Sequence, residues 1–473
     1  MKSDFRVSII VCAFVASSLA LSTMLMSQYA SSNVLQSVIQ AAKAIRHKSL
    51  LPLYSHPSSI EDERIPSFSQ SSIPSVSCIN YNPSTITITV SCTSARLTDI
   101  DSKLHDASIL AKQFPTGIWL LSANLVIAKG TTFHIDPTDT KWLKISSKVP
   151  SAKIAPAYII DVHGSLKIDS VKITSWDPTT NYYAITNGSR WGPLGAGVYI
   201  FGSPRPSIVV ENNATGTTDI TNSEIAYLGY EEGKHKGGSG LSYYGGGDGS
   251  IIRDNDIHHV YFGLYTSDVG HMIIENNIIR NSGHYGLDPH TGTHDMIIRN
   301  NTVYDNNGSG IICSLNCYNM LIENNKVYHN AGDGIDFSRN MYNSVASNNV
   351  VYDEPRGVYV SQSHNNQIYA NTISNCGTGI YINSGSTSNK IYGNTLMNSR
   401  DHAIVINDGS NANTIYSNKI ASTNKKGLEI IQDATSKNNI YSNNQILDLR
   451  MLSTNSPKSI EQSKISGKRL NMS

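Results

Sequence analysis

The sequence predicts an all-β fold, a parallel β-helix whose coils are about 22–25 residues long. Two residue columns and one absence carry the prediction. Short segments recur as "IIRDNDI", "IIENNII", "IIRNNTV", "LIENNKV", "VASNNVV", "IYANTIS", "IYGNTLM", "IYSNKIA" and "IYSNNQI". Their shared asparagines are Asn255, Asn277, Asn301, Asn325, Asn349, Asn371, Asn394, Asn418 and Asn443. A second column keeps the same period: Gly263, Gly286, Gly310, Gly334, Gly357, Gly379, Ala403 and Gly427. Two columns on one period mark a solenoid. No segment holds a 3.6-residue apolar period long enough for a helix, and each is β-branched or aromatic and bounded by Gly or Asn. Coils of strands and turns alone stack at the strand spacing, roughly 4.8 Å. Asparagine at a turn tolerates left-handed backbone and can bond to its neighbour on the next coil, so this column reads as structural.

At the N-terminus, residues 1–31 carry Lys2 and Arg6 ahead of an uncharged run from Val7 to Met26. That is a signal peptide or a single membrane anchor, and either one exports the rest of the chain. Residues 32–94 read as a Ser/Pro-rich linker. Within it Cys78 and Cys92 bracket "INYNPSTITITVS", a small hairpin that a disulfide would close in an oxidising compartment. The β-helix is expected over residues 95–449. It opens on "SARLTDIDSKLHDASIL", a short amphipathic segment suited to cap the first coil. Residues 450–473 read as a polar tail. Charged residues are 15% of the 473 and the net charge is +1. Such a balance leaves no global footprint for nucleic acid, and an acidic partner must meet a local patch. Cys313 and Cys376 read as buried thiols. Cys313 and Cys317 lack the second Cys or His pair that a zinc site needs, so no metal is expected there.

The residues after each glycine alternate in and out of the coil. One past it are Leu264, Leu287, Ile311, Ile335, Val358, Ile380, Ile404 and Leu428; three past it are Thr266, Pro289, Cys313, Phe337, Val360, Ile382, Ile406 and Ile430. These face inward. The outward columns include Tyr265, Asp288, Ile312, Asp336, Tyr359 and Tyr381, then Ser267, His290, Ser314, Ser338 and Ser361. The stretch "HYGLDPHTGTHD" at 284–295 thus sets Asp288 and His290 on the outer face of one strand, with Tyr265, Ser267, Asp336 and Ser338 above and below. Neither side chain improves β-stacking, which points to chemistry rather than packing.

"YGLDPH" resembles the signature of the mannuronan C-5-epimerases. "GIWLLSANLVIAKGTTFHI", "GSLKIDSVKITSWDP", "NSEIAYLGYEEGKHKGGSGLS" and "FGLYTS" are similar to the periplasmic alginate epimerase branch in the same order. The resemblance spans roughly residues 95–450 and implies the right-handed form of the β-helix. It implies that His290 is the catalytic base or acid, that Tyr285 is a second proton carrier, and that Asp288 supports them. An Asp near the His would also raise the pKa of the His. The family places an Arg in the next coil; here "SGIICSLNC" carries Leu315, and Arg339 in "DGIDFSRN" matches a second basic position one coil further on. Inverting C5 of a uronate removes a proton beside a carboxylate, so a cation or strong donors must neutralise that group. Lys234 and Lys236 in "EEGKHKGG", with Tyr265, Asp336 and Tyr359, are the substrate-binding candidates. No cofactor is implied, and "YYGGGDGS" leaves calcium open as an accessory ion. The expected partner is an acidic polysaccharide met by a monomer outside the cytoplasm or at the cell surface. A uronate polysaccharide lyase on the same fold and a non-catalytic glycan-binding β-helix stay open as alternatives.

Overall fold

The computed structural model describes residues 77–149, 157–185, 204–230 and 238–453. They form a three-sided parallel β-helix with sheets of 14, 13 and 14 strands. Each coil contributes one strand to each sheet, and parallel crossovers of this kind are right-handed. Two strand pairs are antiparallel among the described residues, Ile79–Asn82 with Thr87–Val90 and Leu110–Gln113 with Ile118–Leu121, beside one isolated antiparallel bridge between Asp177 and Tyr182.

The inward columns are the core. Leu264, Leu287, Ile311, Ile335, Val358, Ile380 and Ile404 are fully buried, as are Thr266, Cys313, Phe337, Val360, Ile382 and Ile406. The glycine column sits where coils approach most closely. A Cβ on Gly263 would collide with the carbonyl of Gly286, and one on Gly286 with that of Gly310. The last coil departs from the expected register. Ile404 pairs with Ile430 and Ile406 with Gln432. The 3-10 turn Lys426–Leu428 shifts the strand by two residues, so Ile430 takes the place expected of Leu428, while both side chains still pack against the core.

The asparagine column forms a hydrogen-bonded ladder. Asn325 Nδ2 donates to Asn349 Oδ1 at 3.0 Å and to the Ile298 carbonyl at 2.9 Å, while its own Oδ1 accepts from the Asn301 backbone N–H and Nδ2, each at 3.0 Å. The left-handed conformation belongs to the preceding residue: Asn276, Asn300, Asn324 and Asn348 have φ of 55–58°. Turn and ladder are thus divided between two adjacent positions. At the C-terminal end the ladder passes from Asn418 to Asn444, and Asn443 is the left-handed residue, so the sequence column is off by one there.

The N-terminal boundary also differs from the expected one. Thr87–Val90 pairs in parallel with Asn124–Ile127, which makes the hairpin part of the first sheet rather than of a linker. Cys78 and Cys92 form a disulfide across it. Helix Leu97–Leu104 buries Leu97 and Ile100 in the core, and its first turn is held by the Asp99 carboxylate accepting the Arg96 N–H at 2.8 Å. Cys313, Cys317 and Cys376 are buried free thiols. A short helix, Arg450–Ser453, ends the described chain. No described helix is long and apolar enough to cross a membrane. The N-terminal apolar run, most of residues 32–94, and the tail beyond 453 lie outside the described residues.

Candidate active site

The site is built on the outer face of the first sheet. Register sets Tyr265 opposite Asp288 and Ser267 opposite His290, then Ile312 opposite Asp336 and Ser314 opposite Ser338. Asp288 is therefore flanked by Tyr265 and, through the pairing of Leu287 with Ile311, by Ile312. Asp336 and Ser338 lie two coils away rather than adjacent.

His290 is half-buried. Its ring lies 5.6 Å from that of Tyr265, and its Nδ1 is 2.8 Å from Thr291 Oγ1. Arg339 comes back across the coil that carries Leu315. Its Nη2 lies 3.4 Å from His290 Nε2 and donates to Ser314 Oγ. A guanidinium has only donors, so Nε2 must be the accepting nitrogen and Nδ1–H donates to Thr291. Burial, then the Arg339 charge, pushes His290 down to about 4. The imidazole is neutral at neutral pH, and the expected rise from Asp288 does not occur.

The reason lies in Asp288 itself. It occupies an outward column yet is only 2% exposed, and its Oδ1 has no hydrogen-bond partner. Burial holds its carboxyl well above the usual range, with Arg339 opposing, which favours the un-ionised form and weakens any push on the imidazole from an anion there. Asp336 is alike: buried, with Oδ1 unpartnered, and raised by burial and by Asp333. Arg356 clasps Asp333 at 2.5 and 2.8 Å and lies 3.6 Å over the Tyr359 ring. Tyr285 packs against Gly308 and 5.8 Å from Phe262, and burial pushes its phenol up to about 12.

The structure therefore brings His290, Arg339, Asp288, Tyr265 and Tyr285 together, with Asp336 and Tyr359 on the coils beyond. Lys234 and Lys236 lie outside the described residues. Sequence reading missed Ser314 as the Arg339 anchor, and missed the Asp333–Arg356 pair. The second had a signal. Tyr285, Asp333 and Arg356 each immediately precede a column glycine, and their carbonyls accept the N–H of a glycine on the coil before, Gly263, Gly310 and Gly334 respectively. They are one further column on the same ridge.

Fold and site define a right-handed parallel β-helix protein with an imidazole–guanidinium pair over buried carboxylic acids on one open face. Among proteins of that class the chain is similar to mannuronan C5-epimerases. The chain is 26% identical to the mannuronan C5-epimerase of Pseudomonas aeruginosa over 199 residues, 39% of this chain and 31% of that protein. It is 28% identical to the mannuronan C5-epimerase AlgG of Azotobacter vinelandii over 199 residues, 38% of this chain and 33% of that protein. The match thus spans about a third of the length of these curated relatives. The crystal structure of the periplasmic alginate epimerase AlgG shares the fold with a TM-score of 0.64 at 20% identity, over 76% of this chain and 85% of that one. A family model described as periplasmic copper-binding protein (NosD) matches residues 179–314 and 210–408.

Proposed function

We propose that this protein is an exported enzyme that inverts C5 of a uronate, mannuronate to guluronate or a close equivalent, within an acidic polysaccharide. The observation that carries the reading is the 3.4 Å approach of Arg339 Nη2 to the Nε2 of a neutral His290 on an open face of the β-helix. Without substrate, Arg339 occupies the lone pair of His290. A substrate carboxylate that draws the guanidinium to itself frees that lone pair to act as base. The same contact that neutralises the carboxylate thereby arms the base.

In the reaction His290 Nε2 takes the C5 proton, and the C5–H electrons pass into the carboxylate as an enediolate. Arg339 and the un-ionised carboxyl of Asp288 stabilise that charge by donating hydrogen bonds. Tyr285, held protonated by its burial, returns a proton to C5 from the other face, and solvent resets the two carriers. The Asp333–Arg356 pair and Tyr359 extend the face as the platform for neighbouring sugar units. Export accords with the N-terminal apolar run, with the Cys78–Cys92 disulfide, and with the periplasmic setting of the alginate epimerase that shares the fold.

The test is incubation of the purified protein with polymannuronate in deuterated water, read by proton NMR. Expected are deuterium at C5, new guluronate signals and unchanged chain length, all lost in His290→Asn. Ultraviolet absorbance from a new unsaturated end, without guluronate, would make the protein a lyase. No change of any kind on uronate polymers would leave a glycan-binding β-helix.

A further inference from the structure

One turn column, following the strands that carry Tyr265 and His290, changes residue type from coil to coil. Gly249, His271, Asp295, Asn319, Asn343, Asn365 and Ser388 are all left-handed, with φ between 51° and 75°. Asparagine visits this conformation at low cost and is the residue used on three of these coils. His271 and Asp295 occupy it on consecutive coils, bringing two metal-ligating side chain types together. In the column just before it, bridges join Gly270, His294, Tyr318, Tyr342 and His364 coil to coil. Gly270 breaks that run of rings. A Cβ there would meet the His294 imidazole at 2.5 Å, so its absence is what lets this ring lie over the neighbouring coil.

The three side chains converge. One donor atom from each of His271, His294 and Asp295 lies within 4.8 Å of the other two. The two imidazoles are 5.6 Å apart and nearly perpendicular. His294 Nδ1 is 2.8 Å from Asp295 Oδ2, and Asp295 Oδ1 accepts from Asn319 Nδ2 at 3.1 Å. The Tyr318 ring stacks on His294 at 4.9 Å. Two donors are thus oriented by outer partners, as ligands in metal sites are, while the exposed His271 has room to swing.

We propose that His271, His294 and Asp295 bind a borderline divalent transition-metal ion, Zn2+ or Cu2+. Two imidazoles and one carboxylate match that class, whereas calcium and magnesium take oxygen donors. Metal–ligand bonds of roughly 2.0–2.1 Å hold donors no more than about 4.2 Å apart, so donors within 4.8 Å close on an ion with a movement of at most about half an ångström. Solvent completes the coordination on the open side. The ion joins the coil carrying Tyr265 and Ser267 to the coil carrying Asp288 and His290. The proposal does not depend on the sugar chemistry.

Calorimetric titration of the purified protein with Zn2+, and separately with Cu2+, tests it. His271→Asn and Asp295→Asn install the residue the column uses on other coils, so both keep the fold; His329→Asn, at an imidazole 3.3 Å from Asp353, is the control. Expected is one site, weakened at least about tenfold in the first two variants and unchanged in the third. The Cu2+ electron paramagnetic resonance spectrum should show two nitrogen ligands, and one in His271→Asn. The tighter of the two titrations names the metal. Equal affinity in all four proteins, or no binding of either ion at micromolar concentration, overturns the proposal.

Discussion

Replacing Arg339 by Gln should raise the pH at which His290 titrates. In the intact protein His290 is pushed from 6.5 to about 4, by burial first and by Arg339 second. As the smaller cause, Arg339 accounts for less than half of that drop, roughly one pH unit or less, and solvent screening of a half-buried ring trims it further. Coulomb's law agrees. Two unit charges about 3.4 Å apart in a water-like medium repel by ~1 kcal/mol, somewhat under one pH unit. Gln removes the charge and, being two bonds shorter, also gives up the reach to Ser314 and His290. The assay is the imidazole Cε1–H shift of His290 followed against pH in both proteins, assigned with His290→Asn. The acid limb of kcat/KM should move the same way. Turnover should fall by about 10²–10³, as when a fixed donor to a developing anion is removed. A His290 midpoint that stays put or moves down refutes the coupling. A shifted midpoint with full turnover would keep the geometry and remove Arg339 from the chemistry.

Two further outcomes test the scaffold. Asn325→Ala removes the Asn325 side chain from a fully buried ladder and strands the Asn301 donors and the Ile298 carbonyl, so it should cost about 2–4 kcal/mol, read as a fall in the denaturant midpoint. Glu354 ends a similar ladder, accepting from Asn330 Nδ2 at 2.7 Å and from its backbone N–H at 3.0 Å, and burial raises it from 4.5 to about 8. The folded state therefore holds a proton that the unfolded chain releases above pH 4.5. Glu354 stabilises the fold fully below that pH, and the stability is lost as pH rises towards 8. Thermal midpoints of Glu354→Gln should lack this decline; a parallel decline in the variant would place the titration elsewhere.

A solenoid is legible in its sequence because it repeats. Period-2 alternation and a fixed coil length suffice to choose inward and outward columns, because each coil meets the same neighbours as the last. That logic put Asp288 and His290 on one face and identified the core almost residue for residue. It failed where a coil changes length, as at Lys426–Leu428, since a repeat offers no signal for a short turn that consumes two residues. It failed again on electrostatics. An outward column was equated with solvent, yet Asp288 is buried, and the direction of the His290 pKa reverses with it. Exposure on a β-helix face is set by the long side chains that fold back over it, and Arg339 reaches past a whole coil to do so. The reach of a side chain leaves no trace in the spacing of backbone columns. The departures within a column carry more: Leu315 in place of an expected Arg, His271 in place of Asn, Gly270 in place of a ring. At each, the residue departs from the one expected there, so the choice has to be explained by a contact with the next coil.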